Sequence, residues 1–229
     1  MMNPYYEADG ITLYHGDCRD VLHGVPSQSV DMALTDPPYL VSYKGRWGSR
    51  QGAIKGDAEA SWLAPVFVEL WRILVADALC FTFYGWPHAD TFMTLWKLVG
   101  FRPISQIVCV KNVWGLGYFT RSQHESAFLL AKGKPAKPLK AISDVVEWRR
   151  VRAAQHPNQK PLATIATLIE AYSRPDSCIV DPFAGSGTTH VAARNLGRRA
   201  IGIEVEERYC EIAAKRLREA ECGGRKRSL

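Results

Sequence analysis

Two short stretches of the chain combine residue types that suit chemistry on a small ligand. In the first, an apolar run at 30–35 leads into Asp36, Pro37, Pro38 and Tyr39. Each proline fixes φ and removes an N–H donor, and a residue that precedes proline favours extended backbone. The carbonyls of residues 36 and 37 are therefore expected to stay free as hydrogen-bond acceptors at a strand tip. Together with a carboxylate and an aromatic face, they suit an amino group on a flat ring.

The second stretch is "DPFAGSGTT" (181–189), in which an apolar run leads into a tight turn of small residues and then a helix. Glycines let the backbone approach a ligand closely, and a helix N-terminus offers unpaired N–H groups. Glu204 ends the next predicted strand, where an acid suits two ribose hydroxyls. The spacing predicts a site for a nucleoside-containing ligand.

The choice of ligand depends on what the glycine turn lacks. His190 stands where the dinucleotide fingerprint requires its third glycine, which disfavours a nicotinamide-dependent oxidoreductase. The only Gly-Lys pair, Gly133-Lys134, is followed by Pro135 and so does not form a phosphate-binding loop. The turn contains no lysine and begins with Asp181, which would repel a pyrophosphate. An acidic turn instead fits ribose and an amino-acid ammonium, as in S-adenosylmethionine (SAM).

The elements that must position these motifs alternate between short apolar strands and amphipathic helices. This alternation predicts an α/β fold with an open, mostly parallel sheet of about seven strands and helices on both faces. Strands are predicted at 11–15, 30–35, 78–84, 104–110, 125–131, 177–180 and 199–203. Helices are predicted at 62–74, 87–99, 161–172, 188–196 and 206–220.

Composition narrows the class of protein further. The chain has 229 residues, of which 47% are hydrophobic, and this length suits one domain over 1–229. Its six cysteines form no CxxC pair and lie at no zinc-ligand spacing, which predicts reduced thiols, no metal site and a cytoplasmic protein. No apolar run approaches the ~20 residues of a membrane span, and the N-terminus lacks the features of a signal peptide.

"TDPPY" together with "DPFAGSGTT" resembles the amino-group DNA methyltransferases, which methylate adenine N6 or cytosine N4 with SAM. The catalytic motif comes first in the chain, which resembles the circularly permuted β class of these enzymes and implies a Rossmann-like methyltransferase fold. Three further segments resemble motifs of that class: "HGDC" (15–18), "RSQHESAFLLAKGK" (121–134) and "HPNQKP" (156–161).

The resemblance also implies roles for individual residues. Asp36, Pro37, Pro38 and Tyr39 would form the catalytic tip, in which Asp36 and the Pro37 carbonyl accept hydrogen bonds from the target amine. Tyr39 would stack on a base extruded from the duplex. Methylation at carbon 5 of cytosine is excluded, because none of the 13 prolines precedes a cysteine that could act as its nucleophile. The implied cofactor-binding residues are Asp17, Cys18, Lys160, Asp181, Phe183, Ala184, Gly185, Ser186, Gly187, Thr188 and Glu204.

Basic and aromatic residues predict where double-stranded DNA binds. Segment 41–60 is interpreted as a mobile loop, and segment 132–155 as a short target-recognition segment. The basic tail at 222–229 is interpreted as a solvated terminus. The predicted DNA-contacting residues are Tyr43, Lys44, Arg46, Trp47, Arg50 and Lys55 in the loop, and Arg149, Arg150 and Arg152 in the segment.

Several alternatives stay open at this point. Adenine N6 is preferred as the target because cytosine-N4 relatives more often carry serine at the position of Asp36, but cytosine N4 is the first rival. RNA is a rival substrate, and a catalytically inactive DNA-binding relative is a rival of another class. The resemblance is compatible with a homodimer. The residues reveal neither a recognition sequence nor a partner endonuclease.

Overall fold

The computed structural model describes residues 3–39, 61–115, 117–149, 151 and 158–224, with side chains described through residue 220. Within these residues one sheet of nine strands is flanked by six α-helices and a short 3-10 helix. The strands are β1 (Tyr6–Ala8), β2 (Ile11–His15), β3 (Val30–Thr35), β4 (Leu74–Phe83), β5 (Arg102–Lys111), β6 (His124–Ala131), β7 (Val145–Trp148), β8 (Cys178–Asp181) and β9 (Arg199–Glu204). The α-helices are α1 (Cys18–His23), α2 (Leu63–Ile73), α3 (Ala89–Val99), α4 (Leu162–Tyr172), α5 (Thr188–Asn195) and α6 (Glu207–Gly224), and the 3-10 helix is Trp86–His88.

The strand order is β1-β2-β9-β8-β3-β4-β6-β5-β7. The five central strands from β2 to β4 run parallel to one another, and β7 runs parallel to β5. Strands β1 and β6 are antiparallel to their neighbours. Consequently β2, β9, β8, β3, β4 and β5 all end at the same side of the sheet, which we call the carboxyl edge. The predicted α/β fold with a mostly parallel sheet is confirmed.

Helices cover both faces of the sheet, as predicted. One core packs α4, α5 and α6 against the sheet, and the other packs α1, α2 and α3 against the opposite face. In β3, Ala33 belongs to the second core and the adjacent Leu34 to the first, because successive strand side chains point to opposite faces. Helix α2 buries Leu63, Val66 and Phe67, so its apolar spacing is that of a helix with one buried face.

The predicted strand count was too low, since β1 and β7 were missed, as was helix α1. A local signal existed for β1, because Asp9 and Gly10 form the two-residue hairpin turn that joins it to β2, both with positive φ (49° and 77°). No comparable signal exists for β7, which pairs with β5 far back along the chain and buries Trp148. It lies inside the segment that was interpreted as target recognition.

The predicted basic tail at 222–229 is partly helical. Helix α6 continues through Gly224, so the first residues of the predicted tail are helical. In the part of the chain that the structure describes, none of the helices has the length and apolar character needed to cross a membrane.

Candidate active site

The two motifs that suggested chemistry meet at the carboxyl edge of the sheet. Asp36 directly follows β3, which lies between β8 and β4. Asp181 is the last residue of β8, and Glu204 is the last residue of β9. Strands β3 and β8 pair in parallel, so Asp36 and Asp181 lie at neighbouring strand ends. Burial raises the pKa of the Asp181 carboxyl, and the charge of Asp36 adds to that rise. Residues far apart in sequence therefore lie around one space.

The catalytic tip is held by three mutually bonded side chains. The Tyr39 hydroxyl donates to Asp36 Oδ1 at 2.7 Å. The Lys160 ammonium lies 2.9 Å from Asp36 Oδ2 and donates to the Tyr39 hydroxyl at 2.9 Å. The side chain of Asp36 keeps 20% of its surface exposed, whereas that of Lys160 keeps 9%. The carboxylate is thus fixed in position but still accessible.

Lys160 also pairs with Glu125, a residue to which the sequence interpretation gave no role. Its ammonium lies 2.9 Å from Glu125 Oε2, while Glu125 Oε1 lies 2.8 Å from the ammonium of Lys111. The rings of Phe83 and Trp148 flank the same ammonium at 4.5 and 5.3 Å from their centroids. The aromatic faces and the carboxylates together keep a buried positive charge in place.

The charges of this cluster are set by burial and by pairing. Burial raises the pKa of the Asp36 carboxyl above its ordinary value, and the nearby Lys160 ammonium offsets part of that rise. Burial alone would also raise the pKa of Glu125, but the ammonium groups of Lys160 and Lys111 lower it to about 2. Burial would lower the pKa of Lys160, yet Asp36, Tyr39 and Glu125 hold it well above its ordinary value. Lys160 is therefore protonated at neutral pH.

The backbone of the tip packs against the end of β4. A side chain on Gly85 would place its Cβ 2.8 Å from the Cβ and 2.9 Å from the carbonyl oxygen of Tyr39. Only a glycine allows this approach without displacing Tyr39, so Gly85 is required for the observed position of the tip.

The glycine turn is organised by backbone hydrogen bonds. The Gly185 N–H donates to Glu204 Oε2 at 2.8 Å, and the Ala184 N–H donates to the Ile203 carbonyl at 2.9 Å. Gly187 is the N-cap of α5 and lies in the left-handed region (φ 76°), and a Cβ there would lie 2.8 Å from the Cβ of Ala213. The turn therefore requires glycine both for conformation and for contact with α6.

Helix α6 contributes a second contact that the sequence interpretation missed. Arg216 donates to the carbonyl and the hydroxyl of Ser186, and to the hydroxyl of Thr188 at 3.2 Å. Both hydroxyls are buried. The structure thus uses these two side chains to attach the turn to α6.

Asp181 is the buried acid at the mouth of the turn. Its Oδ2 accepts a hydrogen bond from the Thr189 hydroxyl at 2.7 Å, and its Oδ1 accepts one from the Phe183 N–H at 3.1 Å. Burial raises the pKa of the Asp181 carboxyl to about 7, in spite of these two donors. The Phe183 ring packs edge-on against Trp62 at 5.6 Å between centroids, which places the N-terminus of α2 beside the turn.

Asp17 and Cys18 follow β2 at the same edge. The Gly16 N–H donates to the Glu204 carbonyl at 2.9 Å, which brings this segment beside the end of β9. Asp17 caps α1 by accepting from the Arg19 N–H at 3.0 Å. Cys18 is buried, and burial raises the pKa of its thiol to about 12.

The predicted DNA-contacting residues are only partly described. Arg149 is exposed and donates to Glu147 at 3.0 Å. In the same segment Lys132 donates to the carbonyls of Trp71 and Leu74 at the end of α2. This basic residue has a structural role. The residues that lie outside the described part of the chain are Tyr43, Lys44, Arg46, Trp47, Arg50, Lys55, Arg150 and Arg152.

The fold and the paired motifs first define a class of protein: an α/β methyltransferase fold in which the DPPY motif and the glycine turn lie together at the carboxyl edge of the sheet. The solved structure of the M1.HpyAVI–SAM complex is 25% identical to the chain with a TM-score of 0.70, covering 90% of this chain and 100% of that one. The cytosine-N4-specific PvuII DNA methyltransferase has a TM-score of 0.77 at 17% identity, covering 93% of this chain and 88% of that one. At that identity, the PvuII enzyme shows the fold alone.

Sequence comparison then gives the family. A family model described as "DNA methylase" matches residues 30–215. YubD of Escherichia coli (strain K12), whose own description as a methylase is provisional, is 43% identical over 202 residues and covers 88% of each chain. The type II methyltransferase M.ScaI of Streptomyces caespitosus is 30% identical over 93% of this chain and 83% of its own. The chain belongs to the amino-group (N6/N4) DNA methyltransferase family, and this prediction is confirmed.

Proposed function

We propose that the protein transfers a methyl group from SAM to the exocyclic amine of a base in double-stranded DNA, with adenine N6 as the preferred target. One observation carries the proposal. The accessible Asp36 carboxylate at the tip of β3 lies beside the glycine turn at the tip of β8. An amine acceptor and a nucleoside-binding turn thus share one space.

The residues around the turn fit SAM. Asp181, at the end of β8, offers a carboxylate to an ammonium group. The carboxylate of Glu204 accepts backbone N–H groups from Gly185 and Glu206, one on each oxygen. A carboxylate has about four acceptor positions, so ribose hydroxyls can also donate to it. When bound, SAM supplies a methyl group activated by its sulfonium. We assign the cofactor-binding roles to these residues, with Asp17 on the adenine side.

Asp36 acts by holding the target amine. Among the described residues, its two oxygens each have one partner, Tyr39 for one and Lys160 for the other. A carboxylate oxygen can accept a further hydrogen bond. An exocyclic amine that donates to Asp36 and to the Pro37 carbonyl has its nitrogen lone pair drawn out of conjugation with the ring. Fixed acceptors in a buried site require no reorganisation during the reaction. The Lys160 ammonium, 2.9 Å away, favours the anionic form of Asp36 and so offsets part of the rise in its pKa that burial causes.

Tyr39 supplies the surface for the extruded base. Its hydroxyl is fixed by Asp36 and Lys160, and its backbone is fixed against Gly85. A ring held in this way presents a rigid face, so stacking of a base costs little conformational entropy. Because the target amine is inaccessible inside a duplex, the base must leave the stack to reach this ring.

The preference for adenine rests on Asp36, where cytosine-N4 relatives more often carry serine. Radiolabelled methyl transfer to unmodified duplex DNA, followed by digestion and separation of nucleosides, tests the proposal. We expect label in N6-methyl-2′-deoxyadenosine. Label in N4-methyl-2′-deoxycytidine would contradict the choice of base, and label in RNA alone would contradict the substrate. Cofactor binding without transfer to any nucleic acid would identify an inactive relative.

Two predictions about the protein as a whole belong with this proposal. We infer a cytoplasmic protein from its reduced, buried cysteines, Cys18, Cys80, Cys109, Cys178 and Cys210. We also infer a homodimer from the family resemblance. Sedimentation of the purified protein tests the oligomeric state directly.

A further inference from the structure

The connection between β5 and β6 projects from the carboxyl edge. It spans residues 112–123, of which residue 116 lies outside the described part, and we call it the edge hairpin. The Lys111 N–H donates to the Gln123 carbonyl at 2.7 Å, and the Gly115 N–H donates to the Ser122 carbonyl at 2.6 Å. The edge hairpin is therefore an ordered extension of the two strands.

Its large side chains face solvent. Trp114 is 66% exposed, Tyr118 is 95% exposed and Phe119 is 94% exposed. Tyr118 and Phe119 pack edge-on against each other at 5.0 Å between centroids, and the Arg121 guanidinium lies 5.8 Å from the centroid of the Trp114 ring. A cluster of exposed aromatic rings costs free energy in water, so its presence indicates a binding surface.

The charge of the edge hairpin indicates the partner. Residues 112–123 contain one arginine and no aspartate or glutamate, and Lys111 lies at their base. This composition suits a polyanion. Aromatic rings combined with an arginine are the groups that stack on bases and contact phosphates in nucleic-acid-binding proteins.

The position of the edge hairpin links it to the catalytic tip. Lys111 pairs with Glu125, Glu125 pairs with Lys160, and Lys160 pairs with Asp36. The base of the hairpin is therefore three ion pairs away from the proposed amine acceptor. A shallow groove of about 460 Å³ runs from Lys111 and Gln123 to β7, inside the predicted target-recognition segment. DNA that reaches Asp36 must approach this edge.

We propose that the edge hairpin contacts duplex DNA beside the extruded base, with Tyr118 and Phe119 stacking on exposed bases and Arg121 binding a backbone phosphate. The inference rests on the proposed function of the same edge. It adds a DNA-contacting element outside the loop and the segment that the sequence interpretation selected.

The test compares Tyr118→Ala/Phe119→Ala with Leu98→Ala. Leu98 is 81% exposed near the end of α3, at the opposite edge of the sheet, and serves as the matched control. We expect the double variant to raise the KM for plasmid DNA in methyl transfer, and the Kd for a fluorescent duplex, by about tenfold or more, as loss of base stacking predicts. Binding of SAM and the urea midpoint should not change, and the control should match the wild type.

A second variant tests the phosphate contact. Arg121→Gln should reduce the slope of log Kobs against log salt by about 0.9. Unchanged KM, Kd and salt slope in these variants would overturn the inference, even where the wild type methylates DNA. If the wild type transfers no methyl group, the proposed function fails, and the duplex Kd still tests the edge hairpin. A shift from dimer to monomer in the double variant, with DNA affinity intact, would assign the surface to a second copy instead.

Discussion

The glycine turn and the catalytic tip lie on neighbouring strand ends, yet the protein holds them in different ways. The turn (181–188) is held by backbone hydrogen bonds, by residues within one strand–turn–helix unit, and by packing on α6. The tip (36–39) is held by an ammonium from 121 residues further along the chain, which is itself bonded to Glu125. One region is built locally, and the other is built from charges contributed by distant parts of the chain.

This difference has an energetic consequence. Left-handed backbone and close packing fix Gly187 through shape, so the turn should be sensitive to an increase in side-chain size at this position. The buried ions of the tip fix it through electrostatics, and a buried ion pair gives little net stability because desolvation offsets the attraction. The ion cluster serves to position the tip, because Lys160 holds the side chains of Asp36 and Tyr39 in one arrangement. Removing one partner leaves the other charge buried and unpaired.

The largest expected effect separates the function of the tip from that of the turn. Asp36→Ala should lower methyl transfer by about 10³-fold or more, because it removes the charged acceptor for the target amine. Binding of SAM, measured by calorimetry, should stay within about threefold of the wild type, since the glycine turn is unchanged. Transfer that stays within about tenfold of the wild type would contradict the proposed role of Asp36.

The next effect tests whether the tip depends on its ion cluster. Lys160→Met removes the one ion partner that the described residues give Asp36, and one of the two that they give Glu125. It should lower the free energy of unfolding in urea by about 3 kcal/mol. Lys140→Met is the control, because Lys140 forms an exposed pair with Glu170. It should change stability by less than about 1 kcal/mol. Equal effects of the two substitutions would show that the buried cluster is not coupled to folding.

The same contrast explains what the sequence could predict. The turn, the strand before it and the acid after it form one continuous unit, so their spacing predicted their proximity. The DPPY motif was recognisable because two prolines restrict the backbone locally. Glu125 and Lys111 carry no local signal, since an acid or a lysine near a strand end is common. Their importance arises only when β6, β5 and the segment before α4 meet β3 at one edge.

The missed elements follow the same rule. Strand β1 could have been predicted from the Asp9-Gly10 turn, which acts locally. Strand β7 depends on a partner far back in the sequence, and its polar neighbours suggested a surface segment. Arg216 is similar, because a basic residue on an amphipathic helix normally faces solvent, whereas here it bonds to Ser186 and Thr188. A single sequence does not reveal tertiary contacts between segments that are far apart in the chain.

A smaller effect tests whether shape holds the turn. Gly187→Ala places a methyl group in left-handed backbone and against Ala213, and should cost about 2 kcal/mol of folding stability together with SAM affinity. Gly197→Ala is the matched control, because Gly197 has a similar φ of 70° but open space around its Cβ position. Gly197→Ala should lower the folding stability only by the strain of left-handed backbone, and it should leave SAM binding unchanged. Indistinguishable stability and SAM affinity of the two variants would contradict a role for the packing on α6.

The smallest effect concerns the one strongly perturbed charge in the turn. Burial raises the pKa of Asp181 from 3.8 to about 7 in the folded chain. Between these values the folded chain binds more protons than the unfolded chain, so this group lowers stability as pH rises towards 7 and adds no further loss above it. Asp181→Asn cannot ionise, and its amide resembles the protonated acid in offering both a donor and an acceptor to Thr189 and Phe183.

The stability of the Asp181→Asn variant relative to the wild type should therefore increase by about 1 kcal/mol or more between pH 5 and pH 8. Urea unfolding at several pH values measures this difference, and Asp144→Asn, at an exposed position, reports any general effect of removing a carboxylate. If the free energy of unfolding depends on pH in the same way for Asp181→Asn and for the wild type, Asp181 is ionised in the folded chain across this range. The turn would then hold a buried charge after all, and the contrast with the tip would be one of degree.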